Sequence, residues 1–185
     1  MEENIDEEVK LKFPKFRLKR KWQPREQRML SEWIATKPFG DWVYLKMRQR
    51  LGSYAPEEYL KVLKPEEARV LGLFRRWADC VYITNDTIYV IEAMIIARPE
   101  KISQLELYLR LVPHTPELKP YLEGRKIVGV LLYALEDPTM IALAREKGFL
   151  CIKYEPEWLE EYLRLYSHLK KLSRGRSIFK EGTLK

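Results

Sequence analysis

Histidine and cysteine are scarce in this chain of 185 residues, with two of each. His114, His168, Cys80 and Cys151 stand far apart, so no zinc-ligand spacing exists. Each cysteine sits in a short apolar run and reads as a buried free thiol in a reducing compartment. No stretch approaches the roughly 20 apolar residues of a membrane-spanning helix. The acidic start Met1–Glu8 does not read as a signal peptide. The expectation is a protein that meets no membrane and works in the cytoplasm, or in a virion if the source is viral. Side-chain amides are also rare, limited to Asn4, Asn85, Gln23, Gln27, Gln49 and Gln104, while Glu, Lys and Arg abound. That balance leans towards a thermophilic source.

What is present points to a folded domain with an anionic partner. Hydrophobic residues make up 46% of the chain, enough for a sizeable core without disulfide staples. The net charge is +7 and the sequence pI about 9.3. A basic soluble protein commonly meets a polyanion, and nucleic acid is the commonest.

The chain divides into an acidic then basic arm (1–22), one domain (23–172) and a basic tail (173–185). Nothing repeats internally. In the arm, Lys15, Arg17, Lys19, Arg20 and Lys21 alternate with Phe13, Phe16 and Trp22. Cations find phosphates and rings stack on bases, so the arm suits a nucleic-acid groove; an edge strand docked by its aromatics fits the same pattern. Arg75 and Arg76 add charge just before the first strand-like run of the core.

Helical periodicity begins after Pro24 through Met29, Leu30, Trp33 and Ile34 and ends at Gly40. A second helix is expected over Trp42–Leu51 and a third from Pro56, making a helical extension over 23–64; Pro65–Phe74 reads equally as helix or strand. The core, about 66–172, then alternates strands and helices. Trp77–Ile83 and Ile88–Ile96 are β-branched and aromatic, with Thr84-Asn85-Asp86-Thr87 as a turn, which is a hairpin signal. A helix follows from Pro99 to about Leu111, then a proline-rich loop over His114–Gly124. Ile127–Leu135 reads as a strand buried on both faces, Pro138–Lys147 as a helix stopped by Gly148, Phe149–Tyr154 as a strand and Glu155–Leu172 as a long helix.

The hairpin fixes a register. With Asn85 and Asp86 at its tip, Ile83 faces Ile88, Val81 faces Val90 and Asp79 faces Glu92, all on one side of the sheet. Opposed carboxylates repel unless something positive lies between them. A divalent cation with hard oxygen ligands is the natural candidate; a bulge that splays the two apart is the plainer alternative.

Asp79, followed thirteen residues later by Glu92-Ala93-Met94, resembles the Asp-spacer-Glu-X-Lys core of the PD-(D/E)XK nuclease superfamily. The helix Ile102–Tyr108 is similar to the Gln-X-X-X-Tyr helix of its RecB-like branch, through Gln104 and Tyr108. The resemblance spans roughly Leu73–Tyr154. It implies an α/β restriction-endonuclease-like core with a central mixed β-sheet flanked by helices. It also implies Mg2+ held by Asp79, Glu92 and the Ala93 carbonyl. The family's lysine, which orients water or stabilises developing charge, falls at Met94 here, where the register sets it opposite Trp77. Lys101 shares a helix face with Gln104 and Tyr108 and is the candidate for a migrated lysine, with Arg98 second. Glu32, on the first helix, is a candidate further acid.

Three functions are open at this stage. Met94 favours a nuclease-like protein kept for binding nucleic acid, most simply DNA, as an accessory or structural part of a repair, replication or virion assembly. Retention of both carboxylates suits an active Mg-dependent deoxyribonuclease using Asp79, Glu92 and Lys101. The third is a protein–protein module with a vestigial site. A homo-oligomer is compatible with each.

Overall fold

The computed structural model describes residues 25–53 and 75–165, with positions 61, 62, 64, 66, 67, 70 and 72 between them. The arm, the tail, the helix expected from Pro56 and the later part of the last helix lie outside the described residues.

Helix α1 (Arg25–Ile34) follows Pro24 as its periodicity predicts, burying Met29, Leu30, Trp33 and Ile34 along one stripe. The next segment is not the expected helix: Tyr44–Leu51 is strand β1, paired antiparallel with β2 (Arg76–Ile83). Val43, Leu45 and Met47 recur with a period of two, which suits a strand and only loosely imitates a helical pattern. The N-terminal extension is therefore one helix and one sheet strand within the described residues. The hairpin forms as expected, β2 to β3 (Thr87–Ile96), with Ile83 opposite Ile88 and Val81 opposite Val90. Its turn closes through the Thr84 N–H donating to the Thr87 carbonyl at 2.9 Å.

From β3 the chain crosses over through α2 (Pro99–Leu111) to the parallel strand β4 (Lys126–Leu135). The intervening proline-rich segment is tighter than a loop, with 3-10 turns at Val112–His114 and Pro116–Tyr121. A second crossover, α3 (Pro138–Glu146), leads to parallel β5 (Leu150–Lys153). The Asp137 carboxylate caps α3 by accepting the Thr139 and Met140 N–H groups, both at 3.1 Å. Gly148, at φ +79°, ends it in a conformation that other residues resist. Helix α4 (Leu159–Leu165) closes the described part.

The result is an α/β fold: a five-stranded mixed sheet in the order β1-β2-β3-β4-β5, flanked by helices. Helices α2 and α3 cover one face, where Ile102, Leu105, Ile141 and Ala144 meet Val81, Val90 and Leu131. Helices α1 and α4 cover the other, over Tyr82, Ile91 and Leu132. Among the described residues no helix is long and apolar enough to cross a membrane.

Candidate active site

Strands β1 and β3 end, and β2 begins, at one end of the sheet, and there the regular pairing is broken. The β2–β3 ladder stops at Cys80–Ile91, one pair short of Asp79 and Glu92. Instead the Asp79 N–H donates to Glu92 Oε1 at 3.1 Å, and the Ala93 N–H donates to Asp79 Oδ2 at 3.0 Å. Each carboxylate takes an N–H of the opposite strand. The two acids do meet, but through these cross-bonds and not as the directly opposed ladder pair that the register predicts.

The break is visible in the side-chain directions. Val81 and Ala78 pack in the same core although three residues apart, where strict alternation would send them to opposite faces. On β1, Met47 packs against the α1 side and Leu51, four residues on, in the α2 core, so this strand also turns over. The switch falls at Arg48, whose φ of +52° is left-handed. The β1–β2 register brackets Arg48 and Asp79 as opposite positions, between Met47–Cys80 and Gln49–Ala78.

Glu92 is fully buried beneath α2, and Asp79 keeps part of its surface. Lys101, in the first turn of α2, reaches down to both: Nζ lies in close contact with Glu92 Oε2 and 3.5 Å from Asp79 Oδ2. Burial, and then the Asp79 charge, push the Glu92 carboxyl up to about 7, with Lys101 opposing. Burial pulls the Lys101 ammonium down, but the two carboxylates outweigh it and its pKa rises. The glutamate's rise favours a neutral acid and the lysine's rise an ionised one. The close Nζ–Oε2 contact is the geometry of a charge-assisted pair, so the ammonium is the firmer of the two charges. At pH above about 7, where Glu92 is charged, two carboxylates against one ammonium leave one negative charge in excess, which a further cation would satisfy.

Ala93, Asp79 and Lys101 line a cleft of about 470 Å3 together with Met94, Arg98 and Gln104. Its far wall is Glu26 and Gln27 of α1 and Tyr162 of α4. Tyr108 lies behind the wall, buried in the α2 core; burial first, and then Glu92, raise its phenol. Met94 is 3% exposed and belongs to that same core. Trp77, expected opposite it, lies beyond the end of the β2–β3 ladder, pairs with Arg50 of β1 and is 42% exposed.

Other expected residues are placed elsewhere. Glu32 binds Arg28 at 2.8 Å and accepts the Trp158 indole N–H at 2.8 Å, away from the cleft. Arg75 is not a surface cation: its buried guanidinium donates to both Glu117 oxygens at 2.7 and 2.6 Å and to the Arg50 carbonyl at 2.9 Å. Arg76 is exposed. Lys15, Arg17, Lys19, Arg20 and Lys21 lie outside the described residues. The sequence reading missed Glu26, because helical periodicity marks the buried stripe of α1 and is silent on what its first turn faces.

The donor set fits a hard divalent cation, with two adjacent carboxylates at a cleft and charge balance that favours added positive charge. Among the described residues no three of His, Cys, Asp and Glu converge, so oxygens of the Ala93 backbone, water or substrate would complete the shell. No protein-family model, no curated protein and no solved structure matches this chain.

Proposed function

We propose that the chain is a nuclease-like protein of the PD-(D/E)XK kind that hydrolyses phosphodiester bonds in nucleic acid, DNA by preference, with magnesium. The observation that carries this reading is the placement of Lys101 Nζ against both Glu92 and Asp79. It supplies the ammonium that the strand position of Met94 does not. Asp79 and Glu92, with the Ala93 carbonyl, would hold the cation, which supplies Lewis-acid charge stabilisation at the scissile phosphate.

The chain's own groups do the rest. Lys101, its proton held by the two carboxylates, is a donor and not a base, so it orients the attacking water or stabilises charge on a phosphoryl oxygen. The water oxygen bonds to phosphorus as the bond to the leaving oxygen breaks; the proton of the attacking water passes to solvent, and solvent returns one to the leaving oxygen. Gln104 lines the same cleft and would orient substrate. Tyr108 supports α2 from the core side.

The test is incubation with labelled single- and double-stranded DNA at about 1–10 mM magnesium or manganese, a range suited to a weak carboxylate site. Asp79→Ala, Glu92→Ala and Lys101→Ala should each lower cleavage by about 10²–10⁴. Cleavage indifferent to all three would overturn the reading.

A second reading rests on Met94. With that position given to the core and the carboxylates already paired by Lys101, the fold would serve to hold nucleic acid without cutting it. Binding with no cleavage at either metal would select it.

A further inference from the structure

The broken end of the sheet carries a second feature, on the face away from Lys101. Trp77, two residues before Asp79, leaves 42% of its surface exposed although β2 is an interior strand. The Arg50 guanidinium carbon lies 4.5 Å from the centre of its ring and that of Arg48 lies 5.2 Å away. Neither arginine has a carboxylate within ion-pair distance among the described residues. Arg76, the next residue, is exposed as well. None of these side chains lines the cleft, but Trp77 stands two residues from Asp79 on β2 and the β1–β2 register sets Arg48 opposite Asp79.

Cations on an edge strand have a plainer use, which is to stop another strand from pairing there. That accounts for Lys46 and Arg48 on β1. Cation–π attraction holds the two arginines over the indole, but neither use explains why a large apolar ring on an interior strand keeps 42% of its surface exposed. Concentrated cations without counter-charge suit phosphates, and an exposed indole suits the face of an unpaired base.

We propose that Arg48, Arg50 and Trp77 form a landing surface for single-stranded nucleic acid at the rim of the Asp79 cleft. The arginines take two backbone phosphates and the indole takes one base, so the strand runs from β1 across β2 towards Asp79. This rests on the reading of the chain as a nucleic-acid protein, but not on whether it cleaves. A duplex has no free base face for the indole, so discrimination between single and double strands belongs to Trp77.

The test uses the full chain in EDTA, where no turnover occurs. Anisotropy titrations would use a labelled 20-nucleotide oligothymidine, a blunt duplex of the same length, and heparin as a polyanion without bases. Trp77→Ala should weaken oligothymidine binding by roughly 5- to 150-fold. It should leave duplex and heparin binding within about twofold, since neither offers an unpaired base. Trp77→Phe should retain most of the affinity. Arg48→Asn with Arg50→Gln, asparagine being tolerant of the left-handed backbone, should lower the salt slope by about 1.4.

If Trp77→Ala loses its thermal transition, Trp77→Phe and the arginine pair decide the matter. Oligothymidine binding within twofold of wild type in every folded variant overturns the landing surface, as does a Trp77→Ala loss on heparin equal to that on oligothymidine. Tryptophan-dependent binding without cleavage in magnesium leaves the surface standing and removes the hydrolase reading. Cleavage with indifferent binding does the reverse.

Discussion

Lys101 approaches Glu92 from a different element, nine residues further along the chain, while the strand position two beyond Glu92 is filled by Met94. The side chain of Met94 joins the core under α2, with Ala78, Ile102 and Tyr108. Residue 94 borders the cleft as well as this core, whereas a lysine in the first turn of α2 already touches both acids. The helix supplies from above what the strand does not supply from within.

The first prediction is a lysine swap. Lys101→Met should lower any cleavage by about 10²–10⁴, the usual worth of one such group. It also leaves two carboxylates facing each other without their ammonium, at a cost of about 1–3 kcal/mol once the partial exposure of Lys101 is discounted. Adding Met94→Lys to that variant should restore at least about tenfold of the lost rate, because residue 94 also borders the cleft. Single-turnover rates with thermal melts would check both halves. A double variant no faster than Lys101→Met would show that residue 94 cannot serve.

The second concerns pH. The carboxyl of Glu92 is raised from 4.5 to about 7 in the folded chain, chiefly by burial and then by Asp79. The folded state therefore binds its proton more tightly than the unfolded state does. The contribution to stability is full below about pH 4.5 and is lost as pH rises through 7, at most about 3 kcal/mol in all. In EDTA, Tm should fall between pH 5 and pH 8. Glu92→Gln, which does not titrate, should flatten that part of the profile whatever its absolute Tm.

Magnesium supplies the third, with a readout that needs no turnover. A cation that binds only the folded chain stabilises it by RT ln(1 + [L]/Kd), about 1.4 kcal/mol at tenfold excess over Kd. Wild type should melt higher in 10 mM magnesium than in EDTA, by about 3–6 °C for a domain of this size. Asp79→Asn and Glu92→Gln should each lose the shift. Calcium in place of magnesium should reproduce it if the site selects hard cations by oxygen donors alone. A shift unchanged in both variants would place the cation elsewhere.

How much of this was legible in the sequence depends on the range of the interaction. The hairpin was, since its register follows from a two-residue turn and alternating residues, and Ile83–Ile88 and Val81–Val90 pair as expected. Helix α2 was, because Pro99 opens it, while the turning of its Lys101 face to the acids is what the family resemblance implied. Strand β1 was not. Tyr44–Leu51 mixes charged and apolar residues in a way that suits either period, and only its pairing with β2, 25 or more residues away, decides. With β1 read as helix, the meeting of Arg48 and Arg50 with Trp77 could not be foreseen. The cross-bonds of Asp79 and Glu92 were hidden for another reason. A register argument assumes unbroken alternation, and the left-handed Arg48 opposite Asp79 marks where it fails.

Arg75 carries the last prediction, because sequence and structure assign it opposite roles. Its side chain is 2% exposed and bidentate to Glu117, which is 32% exposed. Glu117→Gln leaves a buried guanidinium with a weaker set of acceptors, including the Arg50 carbonyl, and should cost about 2–4 kcal/mol, somewhat less than the loss of a fully buried partner. Arg75→Gln should cost a similar amount, yet leave the salt dependence of DNA binding unchanged, since the charge faces Glu117 and not solvent. A surface arginine would do the reverse: little loss of stability, and a salt slope lower by about 0.7–0.9 for each phosphate given up. Urea melts and salt titrations on the same two variants separate these roles. A lowered slope with wild-type stability in Arg75→Gln would return Arg75 to the nucleic-acid surface.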